Sequence, residues 1–218
     1  MSENMIQTIK DNHLVVIVRG VKRDRLIPLA EAMYEGGVRL LEVTYSANKS
    51  ASDEDAAKSI QMLCEHFQDR MMIGAGTVLT EEQVALTAQA GGQFIISPNV
   101  DKKVIQKTKE LGLISMPGAY TPSEIAEAHQ YGADFVKLFP VTALGASYVK
   151  AVRAPLSHIP LLAVGGVDLT NLAEYAKAGV VGFGIGGNII DKKLLDAEDY
   201  SAITKLAKEY VTKIQELF

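Results

Sequence analysis

Short apolar runs alternate with longer amphipathic stretches about eight times along the chain, a rhythm of strand-length and helix-length segments. The runs are LVVIVR (14–19), LLEVTY (40–45), MMIGAG (71–76), QFIISP (93–98), LISMP (113–117), FVKLFP (135–140), LLAVGG (161–166) and VGFGIGG (181–187). Each is apolar at odd and even positions alike, as a parallel strand buried on both faces must be.

The segments between the runs carry helix start and stop signals. Thr80 with Gln83, and Thr121 with Pro122 and Glu124, have the spacing of capping boxes, the second with proline at the first helical position. Ser52 followed by Asp53, Glu54 and Asp55 places acids in a first turn, where the helix dipole favours them, so those acids need no catalytic explanation. The polar tract SANKSASDED (46–55) is expected to be a loop entering that helix. Glycines stand just before the following strand at Gly36 and Gly37, Gly91 and Gly92, Gly112, Gly132 and Gly179, in the place of a C-terminal helix cap.

Iterated βα units without a break in composition predict one domain over residues 1–218, an α/β protein folded as a (β/α)8 TIM barrel with a short N-terminal helix. A doubly wound open sheet is the rival. It prefers its glycine-rich turn after the first strand, whereas here the glycine-rich turns follow the last two.

Composition narrows the function classes. The 218 residues are 48% hydrophobic and 22% charged, which excludes a disordered chain. A net charge of −4, with lysines and arginines spread along the sequence, offers no basic stripe for nucleic acid. The opening residues MSENMIQTIKDN mix acids and lysine, unlike a signal peptide or a membrane span. A single cysteine, Cys64, leaves no internal disulfide and no cysteine pair for a metal, consistent with a reducing cytoplasm. His13, His66, His129 and His158 are scattered, so no metal or other cofactor is expected.

In a barrel, chemistry gathers at the C-terminal ends of the strands. Lys137 intrudes into FVKLFP, on the same parity as Phe135 and Phe139. Burial disfavours an ammonium and yields the free amine that attacks carbonyls; a lysine snorkelling from a strand end to solvent is the structural alternative. Glu42 intrudes into LLEVT in the same way. A buried carboxyl with a raised pKa suits proton transfer in both directions, and a structural ion pair is the alternative. The turns AVGGVDLTN (163–171) and GIGGNI (184–189) can aim backbone N–H groups at an anion, phosphate first, although either pair alone could be a plain tight turn.

The motifs VVIVRG, GGVRLLEVT, IGAGTVLT, FIISPN, MPGAYTPSE, FVKLFP, AVGGV and IGGN, in this order over nearly the whole chain, resemble the 2-keto-3-deoxy-6-phosphogluconate and 4-hydroxy-2-oxoglutarate aldolases. The resemblance implies a metal-independent class I aldolase, homotrimeric, acting on a small 2-keto acid. It implies that Lys137 forms the Schiff base and that Glu42 is the acid/base. It further places Thr77 and Pro98 at the pyruvate half, Thr77 on the keto-acid carboxylate, with Phe139 beside the imine. Gly165, Gly166, Gly186 and Gly187 match the phosphate loops.

Two positions depart from that pattern. Ser46 stands where many gluconate-branch members carry arginine, so Arg19 is expected to supply the charge for substrate. Asn188 replaces a serine after the last glycine pair and can still donate to phosphate. Three other readings remain: an aldolase for the galactonate epimer, a phosphosugar isomerase or synthase on the same fold, and a catalytically silent phosphosugar-binding barrel.

Overall fold

The computed structural model describes residues 2–46, 48 and 51–218. The strands are β1 (Leu14–Val18), β2 (Leu40–Thr44), β3 (Met72–Gly76), β4 (Phe94–Ile96), β5 (Ile114–Met116), β6 (Gly118–Ala119), β7 (Val136–Leu138), β8 (Leu161–Val164) and β9 (Gly182–Ile185). All pairings between them are parallel, and the order β5-β4-β3-β2-β1-β9-β8-β7-β6 brings the last strand against the first. The two ends of that order, β5 and β6, are consecutive in the chain, so the sheet closes into a barrel.

The eight expected runs all contain strands; the fifth is divided. Pro117 has no N–H to give a ladder, which ends β5, yet its carbonyl accepts the N–H of Lys137 at 2.9 Å. Gly118 then lies so close to β4's exit that a Cβ on it would meet the Pro98 carbonyl. The kink is therefore the seam at which the barrel shuts.

Helices follow the strands: α1 (Ser2–Asn12) precedes β1, then come α2 (Arg23–Glu35), α3 (Asp53–Phe67), α4 (Glu81–Gln89), α5 (Lys102–Glu110), α6 (Pro122–Gln130), α7 (Gly145–Arg153), α8 (Leu172–Lys177), α9 (Lys192–Asp196) and α10 (Tyr200–Gln215). The Thr121–Glu124 box forms in full. The Thr80 box forms on one side only. Thr80 accepts from the Gln83 N–H, but the Gln83 carboxamide accepts from Leu79 N–H and donates to Asp53, which ties α4 to the start of α3. Ser52 caps α3 as expected; of the tract before it, Ala47, Lys49 and Ser50 lie outside the described residues.

Alternate residues of each strand face two separate cores. Outward-facing side chains such as Val16, Leu41, Ile73 and Phe183 pack against the helices. Inward-facing Val15, Leu40, Met72, Phe94, Ile114, Phe135 and Leu162 fill the barrel, and Ile9, Met5 and Ile6 of α1 pack against this interior cluster. That plug leaves the opposite mouth, at the C-terminal strand ends, as the open one. Where α10 crosses α2, Gly36 has no room for a side chain, since a Cβ would stand 2.5 Å from Ala207 Cβ.

Candidate active site at the open mouth

Lys137 is the middle residue of β7, and its parity carries it inward between Phe135 and Phe139. It is 7% exposed, and its Nζ lies 4.7 Å from the centroid of the Phe139 ring. Burial drives its pKa down; the Glu42 carboxylate opposes that shift and the Arg19 guanidinium adds to it. The snorkelling alternative fails, because the amine is enclosed.

Glu42, on β2, is 1% exposed, in register with Ile17 of β1 and Gly74 of β3. Burial pushes its pKa up to about 7, with Lys137 and Arg19 holding it down from a higher value. Its Oε2 is buried without a hydrogen-bond partner. Such an orphaned oxygen is costly, about 1–3 kcal/mol, and a structural role would not leave it unsatisfied. Room for the carboxyl comes from β3: a Cβ on Gly76 would overlap it. Gly74 clears space in the same way for the Phe94 ring.

Arg19, Thr77, Pro98, Lys137 and Phe139 form one side of a cavity of about 490 Å³, and Gly165, Gly166, Gly186, Gly187 and Asn188 form the other. The structure thus brings every sequence-picked residue to one cavity except Glu42, which lies behind its wall. Thr77 holds φ 56°, unusual for a β-branched residue, and its Oγ1 accepts from Arg19 Nη2 at 3.2 Å.

The two glycine turns are built differently from ordinary connections. Gly165 and Gly166 are consecutive left-handed residues, at φ 97° and 79°, and a Cβ on Gly166 would sit 2.6 Å from Thr142 Oγ1. The N–H groups of Gly166, Val167, Gly187 and Asn188 donate to no acceptor among the described residues. Four unspent donors around one concavity form an anion cradle. Asn188 does more than the sequence suggests, because its side-chain amide donates to the Val167 carbonyl at 2.8 Å and so clasps one turn to the other. Its second amide hydrogen is left for a ligand.

Sequence reasoning passed over three contributors. Ile17, Leu79 and Val164 give the cavity an apolar lining. Thr142 accepts no role from any motif, yet its hydroxyl donates to Gly165 O at 3.0 Å and holds that turn. Ser46 donates to Asn48 Oδ1 at 2.8 Å and faces a different cavity, between the β1–α2 and β2–α3 connections. Cys64 is half-buried and its thiol is pushed up to about 11, chiefly by burial, which keeps it protonated and unreactive. Among the described residues no three His, Cys, Asp or Glu side chains gather as a metal set, and no helix is long and apolar enough to cross a membrane.

Comparison with known proteins agrees with this geometry. Residues 5–206 match the family model described as KDPG and KHG aldolase. Over 177 residues the chain is 36% identical to a probable 2-dehydro-3-deoxy-6-phosphogalactonate aldolase of Rhizobium meliloti, covering 81% of each protein. It is 34% identical over 199 residues to the KHG/KDPG aldolase of Escherichia coli K12, covering 90% of this chain and 89% of the relative. A crystal structure of a KDPG aldolase from Legionella pneumophila, with pyruvate captured as a covalent carbinolamine, superposes with a TM-score of 0.84 at 27% identity over 94% of this chain and 96% of that one.

Proposed function

Because the chain belongs to the KDPG and KHG aldolase family and is a class I aldolase, a carbon–carbon lyase, we propose that Lys137 is its imine-forming lysine and Glu42 its proton carrier. The reaction is cleavage of 2-dehydro-3-deoxy-6-phosphogluconate to pyruvate and glyceraldehyde 3-phosphate, with 4-hydroxy-2-oxoglutarate, which gives pyruvate and glyoxylate, as a second substrate. The single observation that carries this reading is a buried amine of depressed pKa opening on the same cavity as four free backbone N–H groups.

The neutral amine of Lys137 adds to C2 of the keto acid, and loss of water gives a protonated imine. Glu42, acting through a water, takes the C4 hydroxyl proton; the C3–C4 bond breaks, its electrons enter the imine, and the aldehyde departs. The resulting enamine takes a proton at C3, from Glu42, and hydrolysis returns the water and frees pyruvate. A carboxyl titrating near 7 can perform both transfers at neutral pH. Thr77 and Arg19 hold the keto-acid carboxylate, Pro98 and Phe139 pack against the pyruvate half, and the cradle of Gly165, Gly166, Gly186, Gly187 and Asn188 takes the phosphate.

A second reading concerns the substrate's stereochemistry. The 36% identity to a protein named for the galactonate acid favours the epimer. Side-by-side kcat/KM values for the two epimers decide between them. A catalytically silent phosphosugar-binding barrel has less support, since binding alone gives no reason to bury both Glu42 and Lys137. We further propose a cytoplasmic homotrimer, which sedimentation equilibrium tests; a monomer or dimer at micromolar concentration would remove that part.

The test of the whole reading is incubation with pyruvate, reduction with borohydride and peptide mapping. A mass increase on Lys137 is expected. A folded protein that takes up no pyruvate under reduction sinks the assignment.

A further inference from the structure

Arg19 and the Gly186–Gly187 turn each stand between two cavities. One is the cavity of Lys137; the other, of about 570 Å³, lies between the β1–α2 connection and the turn that leads from β9 into α9. Arg19, Lys22, Arg25 and Lys192 line this second cavity against one carboxylate, Asp196. Arg25 is already engaged, with Asp196 and Glu198 each 3.5 Å from its guanidinium and the Leu195 carbonyl accepting from Nη1 at 3.3 Å. Lys22 and Lys192, by contrast, have neither ion-pair nor hydrogen-bond partner among the described residues.

Two uncompensated ammonium groups and a third cation around one concavity are an arrangement that repels itself until an anion enters. The apolar wall of Ile17, Ile190 and Leu195 limits screening on that side. The turn between the two cavities carries the free N–H groups of Gly187 and Asn188. The number of donors favours an anion with three or more acceptor oxygens over a carboxylate with two.

Resting on the aldolase reading above, we propose that this basic cavity is a second anion subsite, adjoining the glycine cradle, in which Lys22 and Lys192 take a phosphate-sized dianion. That dianion has two chemical sources. It is the terminal phosphate of a phosphorylated keto acid reaching past the Gly186–Gly187 turn, or a free phosphate that binds beside the substrate.

The test uses the Lys22→Gln/Lys192→Gln double variant, which keeps most of each side chain's length and removes its charge, and the Lys22→Arg/Lys192→Arg variant, which keeps the charge. Calorimetric titration with inorganic phosphate is expected to find two sites per chain in the wild type, one in the glutamine variant and two again in the arginine variant. This readout needs no turnover, so it stands even if pyruvate fails to label Lys137 and the aldolase reading falls. In turnover, a rise of about tenfold in KM for a phosphorylated keto acid, carried by KM rather than kcat and absent for an unphosphorylated one, assigns the subsite to the substrate. An unchanged KM with phosphate acting non-competitively assigns it to a free anion. Equal phosphate stoichiometry and affinity in the wild type and the glutamine variant overturns the proposal.

Discussion

The Glu42 carboxyl occupies the space that a side chain on Gly76 would need. One neighbour's missing Cβ thus sets the position of the group proposed to move protons, and Gly76→Ala tests the dependence. The methyl group must displace the carboxyl or the strand. We expect kcat to fall by about a hundredfold and stability to drop by about 1–3 kcal/mol. Full activity in Gly76→Ala would show that the carboxyl's position is unimportant.

Lys137→Met separates chemistry from folding. The lysine's pKa is lowered by folding, so the folded state is penalised for holding the charged form at any pH below its ordinary value. Replacing it with an apolar chain of similar length removes that penalty. Turnover and borohydride labelling are expected to vanish while the thermal midpoint at pH 7 stays level or rises; a large fall would mean that Lys137 is structural.

The Glu42 shift has its own pH signature. Its folded pKa is raised, so folding is unpenalised below about 4.5, where the group is protonated in both states. The penalty grows between about 4.5 and about 7 and is full above that, up to about 3 kcal/mol at 1.36 kcal/mol per unit. Glu42→Gln should therefore stabilise the protein at pH 8 and do nothing at pH 4, measured by urea unfolding at both. A gain of equal size at the two pH values would contradict the buried, raised carboxyl.

The same titration shapes the rate. With Glu42 as the base for the C4 hydroxyl, kcat should climb through about pH 7 on its acid limb, and Glu42→Gln should remove the limb along with most of the activity. An acid limb that persists in the variant belongs to another group.

Gly166→Ala probes the cradle. Its backbone is left-handed, and a Cβ would sit 2.6 Å from Thr142 Oγ1, so the turn must reshape. We expect KM for the phosphorylated substrate to rise tenfold or more while pyruvate labelling of Lys137 continues, because the cradle lies at the far side of the cavity from the imine. Equal losses for phosphorylated and unphosphorylated substrates would remove the phosphate role.

Much of this protein was determined by local sequence. Runs apolar on both parities can only be strands covered on both faces, and each of the eight lies in the barrel. Lys137 and Glu42 stood out because a charge inside such a run is energetically conspicuous without any knowledge of its neighbours. Other features needed the closed barrel. Pro117 divides the fifth strand because the seam falls there, and Gln83 leaves its capping box because Asp53 arrives from another helix. Leu79 and Thr142, unremarkable as letters, reach the site because strands distant in sequence are adjacent around the ring. The meeting of Lys22 and Lys192 across a cavity is likewise long-range: sequence records periodicity and local caps, whereas coincidence of separate loops depends on the register and curvature of the closed sheet.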